Sequence, residues 1–517
     1  MSFNSIIFVL FFLPFSVLGY YALSLTPLHR LRLPFLILMS LFFYGRAQMS
    51  YIPLLLGSIV ANYLIAAMIA RNKDHERAKR FWLALGVIAN AGALISLKYL
   101  SAVVGTITGA LGHPNPFANI VAPLAISFYT FQQISFLIDV ARGKVELRGI
   151  VRYMSFVAFF PTLLAGPITL YSEMGPQFGI RPQRKGVAQN LLVGLIIFSL
   201  GLFKKTVLAD TIGLWVDPVF AAVHKGSAPG FFLGWGTALA YTLQIYFDFS
   251  GYSDMAIGVA RMLGFVLPLN FFSPLRSTSI SELWRRWHMT LSRFVRVYIY
   301  QPVSIPLTRF AAEKGYGKWT TMTIAVFLPA FLSMLIIGAW HGPNWTYVLF
   351  GAMQGAYIIT DELHTALTRK RRRKKPDTRF AVFCYGLLTI LAFAAAAVPF
   401  RSETLTDAFR IFGGMAGLRG LGLAYSWPAF WSPGGNGMML MMIILGLLIV
   451  YLLPNTEQIM DKVQPALEWE KWGTVDPALL RFSFPFTPAG IALASLLLFL
   501  GFAFISRGST NFIYFKF

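Results

Sequence analysis

Cysteine and charge are what this chain of 517 residues has least of. The single cysteine, Cys384, excludes an intramolecular disulfide. Because it lies inside an apolar run, it is expected to be a buried core residue rather than a nucleophile. Charged residues are 13% of the sequence, against roughly 25% in an ordinary soluble domain. Hydrophobic residues are 56%, and the mean hydropathy is +0.62. Also missing are a phosphate-binding GK[ST] loop, a zincin HExxH and a GxSxG nucleophile elbow. The seven histidines are too scattered for a zinc site, so no metal and no permanently bound cofactor is expected.

Acidic residues are scarcer than basic ones, 21 against 44, giving a net charge of +23. In a soluble protein that balance would suggest nucleic acid. Here the basic residues fall in short loops between apolar runs, as in cytoplasmic loops, so lipid is the expected partner and nucleic acid is not. The cluster Arg369-Lys370-Arg371-Arg372-Arg373-Lys374-Lys375 is expected to be a juxtamembrane loop touching anionic lipid.

The long apolar runs predict an all-α polytopic bundle. They are continuous, whereas strands of a membrane β-barrel alternate over roughly 10 residues. Spans are expected near 5–25, 33–47, 51–70, 81–98 and 118–140. The first lacks a basic leader region and reads as a retained helix. If basic loops are cytoplasmic, this order puts the N-terminus outside. Residues 156–170, interrupted by Pro161, Gly166 and Pro167, read as a re-entrant or kinked segment, which protein or water must surround at membrane depth. Further spans or half-spans are expected at 190–208, 231–247 and 252–270, then apolar segments at 320–340 and 345–360, and spans at 380–398, 437–453 and 487–506. The stretch 401–436, rich in Gly, Pro, Trp and Ser, reads as a non-cytoplasmic loop. The organisation expected is one membrane domain over 1–517, with N-terminal helices in 1–115, a catalytic core in 118–365 and C-terminal helices in 380–517.

Polar residues inside apolar sequence are costly and mark candidate sites. In QIYFDFSGYSDMA (244–256), Asp248 and Tyr252 share a face if the segment is helical, and Gly251 permits a break. Asp248 and Asp254 are candidates for a supporting role, against the alternative of a structural polar network. In SPLRSTSISELWRRWHMTLSRFVRVYIYQP (273–302), Ser279 and Glu282 have capping-box spacing. The helix they start would carry Trp284, Trp287, His288 and Leu291 on one side, with Arg285, Arg286, Arg293 and Arg296 around it. That composition suits the membrane interface and also suits gripping phosphates. In IGAWHGPNW (337–345), His341 is flanked by Trp340 and Gly342-Pro343, near Asn344, between two apolar runs. It reads as a histidine lining an internal cavity. The polar residues of 123–139, among them Gln132, Gln133 and Asp139, read as structural hydrogen bonding.

PLAISFYTFQQISFLIDVARG, FFPTLLAGPI, QIYFDFSGYSDMAIG, WRRWHMTLSRFVRVYIY and GAWHGPNWTYVLFGAMQG, in this order over 123–355, resemble the membrane-bound O-acyltransferase family. They are most similar to its bacterial branch, the alginate O-acetyltransferase membrane subunit and the D-alanyl transfer protein of teichoic acids. The sequence departs from the alginate-type pattern at Val297, where an acidic residue is usual, at Val303-Ser304-Ile305, where Gly-Gly is usual, and at Gln354, where histidine is common.

The resemblance implies a ring of helices around a thinned centre, with a tunnel between the two faces. It implies His341 as the base that takes a proton from an attacking hydroxyl, and His288 as the group that orients or polarises the acyl thioester. Trp287, Arg285, Arg286, Arg293, Trp340 and Asn344 are implied as donor-binding or supporting residues. It further implies acetyl-coenzyme A as donor, a polysaccharide acceptor, an extracytoplasmic acyltransferase partner and a bacterial inner-membrane location. D-alanyl transfer from a carrier protein is the second enzyme reading. A transporter or channel with both histidines along a solute path is the reading from another class, and it leaves the specific histidine motifs without an explanation.

Overall fold

The computed structural model describes residues 1–118, 122–374, 377–422, 436–473, 475, 478–505 and 512–513, without the side chains of 369–374. Its longer helices, in chain order, are α1 Phe8–Ser24, α2 Arg32–Gln48, α3 Ile52–Arg71, α4 Glu76–Ala110, α5 Ile126–Ala141, α6 Ile150–Val157, α7 Tyr171–Gly179, α8 Arg184–His224 and α9 Phe231–Met262. Then follow α10 Ile280–Arg286, α11 Met289–Val295, α12 Gln301–Glu313, α13 Lys318–His341, α14 Trp345–Lys374, α15 Arg379–Arg401, α16 Leu405–Met415, α17 Asn436–Leu452 and α18 Pro488–Phe504. Among the described residues there is no strand, only an isolated bridge between Pro268 and Leu467. Among the described residues, five helical runs are long and apolar enough to cross a membrane: Pro27–Arg71, Glu76–Ala110, Arg184–His224, Lys318–His341 and Arg379–Arg401.

Large apolar side chains point outward along these runs. Leu18, Ile88 and Phe499 are each about two-thirds exposed or more, as a lipid-facing surface requires. The polar residues lie inside. Ser58 and Asn62 of α3 both donate to the Gln133 amide oxygen on α5, and Asn62 exchanges hydrogen bonds with Asn90 of α4. Gln132 donates to Thr169, and the Tyr298 hydroxyl donates to Asp139. The polar residues of 123–139 are therefore structural fasteners between helices.

Several expected boundaries shift. Residues 231–247 and 252–270 are not two spans: α9 runs unbroken through Gly251 to Met262, and 263–273 is irregular. Gly251 serves close packing instead of a break. A Cβ there would lie 2.7 Å from the Gly201 carbonyl oxygen of α8, and one at Gly258 would lie 2.6 Å from that of Gly194. The segment 156–170 is indeed interrupted, with short helical turns wholly buried in protein. The stretch 401–436 contains α16, begun by a Thr404–Asp407 capping box, while 423–435 lies outside the described residues. The basic run expected as a loop instead continues α14 as helix to Lys374; its side chains, and Lys375, lie outside the described residues. Cys384 is exposed, beside exposed Phe380, Phe383, Leu387 and Leu388. An apolar run in a membrane helix has a lipid face as well as a core face, and Cys384 is on the former.

Candidate active site

The segment carrying His288 is not one helix. Ser279 caps α10 by accepting the Glu282 amide at 3.2 Å. The Glu282 carboxylate turns back to Thr278, accepting its amide at 2.9 Å and its hydroxyl at 3.0 Å, and holds Arg286 at 2.5 Å. Burial works against the charge on Glu282, but these donors outweigh it and hold the carboxyl below the ordinary glutamate pKa. The helix stops at Trp287. His288 adopts a left-handed conformation, φ 41° and ψ 52°, and α11 begins at Met289. A non-glycine residue there is strained and persists only where its surroundings fix it.

Asn270 supplies that fixing. Its backbone carbonyl accepts the Met289 amide at 2.8 Å, and its side-chain oxygen lies 3.0 Å from His288 Nδ1 and accepts the Thr290 hydroxyl at 2.8 Å. Its amide nitrogen donates to Ser253 at 2.9 Å, and Thr290 accepts the Ile168 amide from the interrupted segment. An oxygen facing Nδ1 requires the proton on Nδ1, which leaves Nε2 as the basic nitrogen of a neutral ring. Phe249 packs edge-on against the ring at 4.7 Å.

His341 ends α13, where Gly342 turns the chain into extended backbone. It is buried, with Trp340 at 4.8 Å, Phe400 edge-on at 4.7 Å and Phe350 and Tyr347 each at 6.2 Å. Trp340 is itself stacked on Phe131.

The two histidines line one cavity with Trp284, Trp287, Leu291, Phe350, Phe393 and Phe400. Its volume is about 20 Å³, room for little more than one water-sized group. Trp284, Trp287, His288 and Leu291 thus meet as expected, through a helix break rather than along one helical face. A larger cavity, about 600 Å³, lies past His341 and is lined by Asn344, Tyr347 and Arg401 together with Lys205, Asp210 and Asp217. Another of about 280 Å³ lies past His288 and is lined by Arg285, Thr290, Arg293 and Arg296. Trp284 borders both this cavity and that of the histidines.

The expected arginines divide into two kinds. Arg286 pairs with Glu282, and Arg293 makes a two-pronged pair with Glu173. Arg285 and Arg296 are exposed, line the basic cavity, and have no carboxylate within 4 Å among the described residues. Asn344 donates to the Glu403 carbonyl at 2.6 Å. Gln354 accepts the Trp284 indole at 3.0 Å.

Asp248 and Asp254 do not reach the histidine cavity. A π-turn, Lys204–Ala209, interrupts α8 and turns two successive lysines onto α9. Lys204 pairs with Asp254 at 2.8 Å, and Lys205 with both Asp248 and Asp210 at 2.6 Å. Thr456 also donates to Asp254 at 2.6 Å. Both aspartates are thus engaged in ion pairs that join α8 to α9. Sequence reasoning missed Asn270, Lys204, Lys205 and Lys98. The lysines carried a signal, being charges within apolar runs. Asn270, in an irregular segment, carried none.

Among the described residues no group of three or more His, Cys, Asp or Glu side chains can hold a metal. The profile of the MBOAT, membrane-bound O-acyltransferase family, matches residues 139–396. The chain is similar over its whole length to the peptidoglycan O-acetyltransferase of Helicobacter pylori, at 32% identity and covering 97% of that protein. It is 36% identical to a probable alginate O-acetylase AlgI of Pseudomonas syringae over 80% of this chain and 75% of the other. A teichoic acid D-alanyltransferase of Streptococcus thermophilus is 29% identical over 50% of this chain and 60% of the other.

The chain belongs to the membrane-bound O-acyltransferase family. It is an acyltransferase and a membrane protein, and its helical structure agrees with that membership.

Proposed function

We propose that the protein transfers an acetyl group from cytoplasmic acetyl-coenzyme A to a hydroxyl presented on the opposite face of a bacterial inner membrane, for delivery to a cell-wall or exported polysaccharide. The observation that carries this reading is the shared cavity of His288 and His341, with one larger cavity beyond each histidine. The donor enters past His288. Arg285 and Arg296, which make no ion pair among the described residues, take the phosphates of coenzyme A, for which guanidinium forks are matched. The thioester reaches the narrow cavity, where a two-carbon acyl group is accommodated with the least displacement of the surrounding aromatics.

The acceptor hydroxyl enters past Asn344 and Tyr347. His341 removes its proton as the oxygen attacks the thioester carbonyl. His288, neutral and aimed by Asn270, orients the thioester. The carbon–sulfur bond then breaks, the ester remains on the acceptor, and the thiolate takes the proton back from the His341 imidazolium. Positioned proton transfer of this kind is worth about 10²–10⁴ in rate. The concentration of basic residues in alternate loops supports an orientation with the N-terminus outside.

Acetylation is favoured over D-alanyl transfer by coverage. The acetylating relatives match 80% or more of this chain, and the S. thermophilus D-alanyltransferase matches half. The relatives named for peptidoglycan and for alginate both leave a polysaccharide hydroxyl as the final acceptor. A separate extracytoplasmic transferase receives the acetyl group where the polymer is not acylated directly.

The test is acetyl transfer from labelled acetyl-coenzyme A by purified protein in liposomes, with peptidoglycan fragments, alginate oligomers and teichoic acid as acceptors. His341→Ala and His288→Ala should each lower transfer by about 10²–10⁴-fold, leaving a small residual rate. Undiminished transfer by His341→Ala removes it as the base, and ion flux without acyl transfer would support a transporter.

A further inference from the structure

Helix α13 ends at His341 because Gly342 leaves the helix and Pro343 cannot continue it. A helix end leaves its last carbonyls without helical donors. Here the Gly342 amide reaches back to the Ala339 carbonyl at 3.2 Å, and two adjacent residues of α4 supply further donors. The Tyr99 hydroxyl donates to the Ala339 carbonyl, and the Lys98 ammonium donates to the Trp340 carbonyl. These are the two residues immediately before His341. The ammonium also lies 5.7 Å from the centre of the Trp340 ring.

Lys98 is a cation in an apolar, membrane-length helix, where a charge is expensive and calls for a specific partner. Among the described residues that partner is the Trp340 carbonyl, and no carboxylate is within 4 Å. A cation at a helix C-terminus complements the helix dipole. The body of α13 is already locked to α14 without α4: a Cβ on Gly338 would lie 2.3 Å from the Tyr347 carbonyl, and one on Gly351 would lie 2.5 Å from that of Met334. What Lys98 and Tyr99 add is a hold on the last turn, the one that carries the imidazole.

We infer that Lys98 and Tyr99 are positioning residues for acyl transfer, clamping the carbonyls of Trp340 and Ala339 so that the His341 ring meets the incoming hydroxyl. The inference rests on His341 being the base. Neither residue is required to touch donor or acceptor, so their loss should appear in turnover and not in donor affinity. A displacement of about 1 Å at a reacting group costs up to about 10²-fold.

The experiment uses the full-length protein in liposomes, with acetyl-coenzyme A and an acceptor that the parent protein acetylates. Lys98→Met is expected to lower kcat about 10- to 100-fold, leaving the KM for acetyl-coenzyme A within about threefold. Lys98→Arg, which keeps a cationic donor, should recover most of the loss, and Tyr99→Phe should lose less than Lys98→Met. In a His341→Ala background, Lys98→Met should reduce residual transfer no further, because the ring it positions is gone. An unchanged kcat in Lys98→Met and Tyr99→Phe overturns the inference. So does an equal fold loss with and without His341, which would mark Lys98 as general support for the fold. If Lys98→Met does not fold, Tyr99→Phe and Lys98→Arg still decide: positioning requires turnover to fall in the first and largely persist in the second. Full transfer by His341→Ala would instead remove the base assignment itself, a separate outcome.

Discussion

Gly201 of α8 and Gly251 of α9 face each other across the centre of the molecule, each so placed that a Cβ would lie within 2.6–2.7 Å of the other's carbonyl oxygen. Seven residues along each helix, Gly194 and Gly258 repeat the contact. The two helices are therefore antiparallel and in backbone contact at two levels. At each of the four glycines the nearest atom is a backbone carbonyl oxygen, which cannot yield as the end of a side chain can, so Gly251→Leu must force the helices apart. We expect it to abolish monodisperse protein in detergent or to lower Tm by several degrees, since in a chain of this length 1 kcal/mol moves Tm by roughly 1–2 °C. Gly57→Ala, in α3 with no atom within 4 Å of the new Cβ, should leave Tm unchanged. Thermal unfolding followed by size-exclusion chromatography reads both.

The same glycine shows where the sequence was legible and where it was not. Apolar runs gave the helices and most of their positions, since length and hydropathy alone decide a membrane span. Gly251 looked like a break because glycine in a helix signals either flexibility or contact, and only the partner helix decides between them. Likewise the spacing of Trp284, Trp287, His288 and Leu291 suggested one helical face. The residues do meet in one cavity, but His288 reaches it by leaving the helix, under the control of Asn270, 18 residues earlier. Asp248 and Asp254 were visible as costly charges. Their partners, Lys204 and Lys205, stand on a π-turn that no local pattern announces.

Asn270 should matter as much for turnover as for structure. Its side-chain oxygen fixes the Nδ1 proton of His288, and its amide anchors the ring's support to Ser253. Asn270→Ala leaves the ring free to choose its tautomer. Acetyl transfer should fall about 10- to 100-fold, the loss seen when the group orienting a functional histidine is removed. Asn270→Asp, which retains the oxygen, should lose less. Assays on protein of verified monodispersity check the order; equal activity of Asn270→Ala and the parent would refute it.

The four arginines of 285–296 should separate experimentally. Arg285 and Arg296 line the cavity past His288, with Glu173 and Glu468 also in its wall, and make no ion pair among the described residues, whereas Arg286 and Arg293 are committed to Glu282 and Glu173. Arg296→Gln should raise the KM for acetyl-coenzyme A about tenfold, equal to one charge-assisted hydrogen bond of about 1.4 kcal/mol. Dephospho-coenzyme A thioesters should discriminate less between variant and parent if the lost contact is to a phosphate. Arg286→Gln should instead lower Tm with little change in KM. Steady-state kinetics over a range of donor concentrations distinguishes the two classes.

Lys205 holds two carboxylates, Asp210 from its own helix and Asp248 from α9, and all three are buried. Removing one partner from such a cluster is worse than removing the whole, because it strands charges away from water. Lys205→Met leaves two adjacent carboxylates without their cation. It should cost about 3–5 kcal/mol, enough to lose most folded protein. Adding Asp248→Asn and Asp210→Asn removes the stranded charges, and the triple variant should recover a large part of that stability although it has lost both ion pairs. Lys205 and Asp210 also line the large cavity beyond His341, so the triple variant separates two roles. If it folds and transfers acetyl normally, the cluster only joins α8 to α9. If it folds but transfers poorly with an unchanged KM for acetyl-coenzyme A, the charges also shape the path by which the hydroxyl reaches His341. Tm and transfer rate measured on one preparation decide between them.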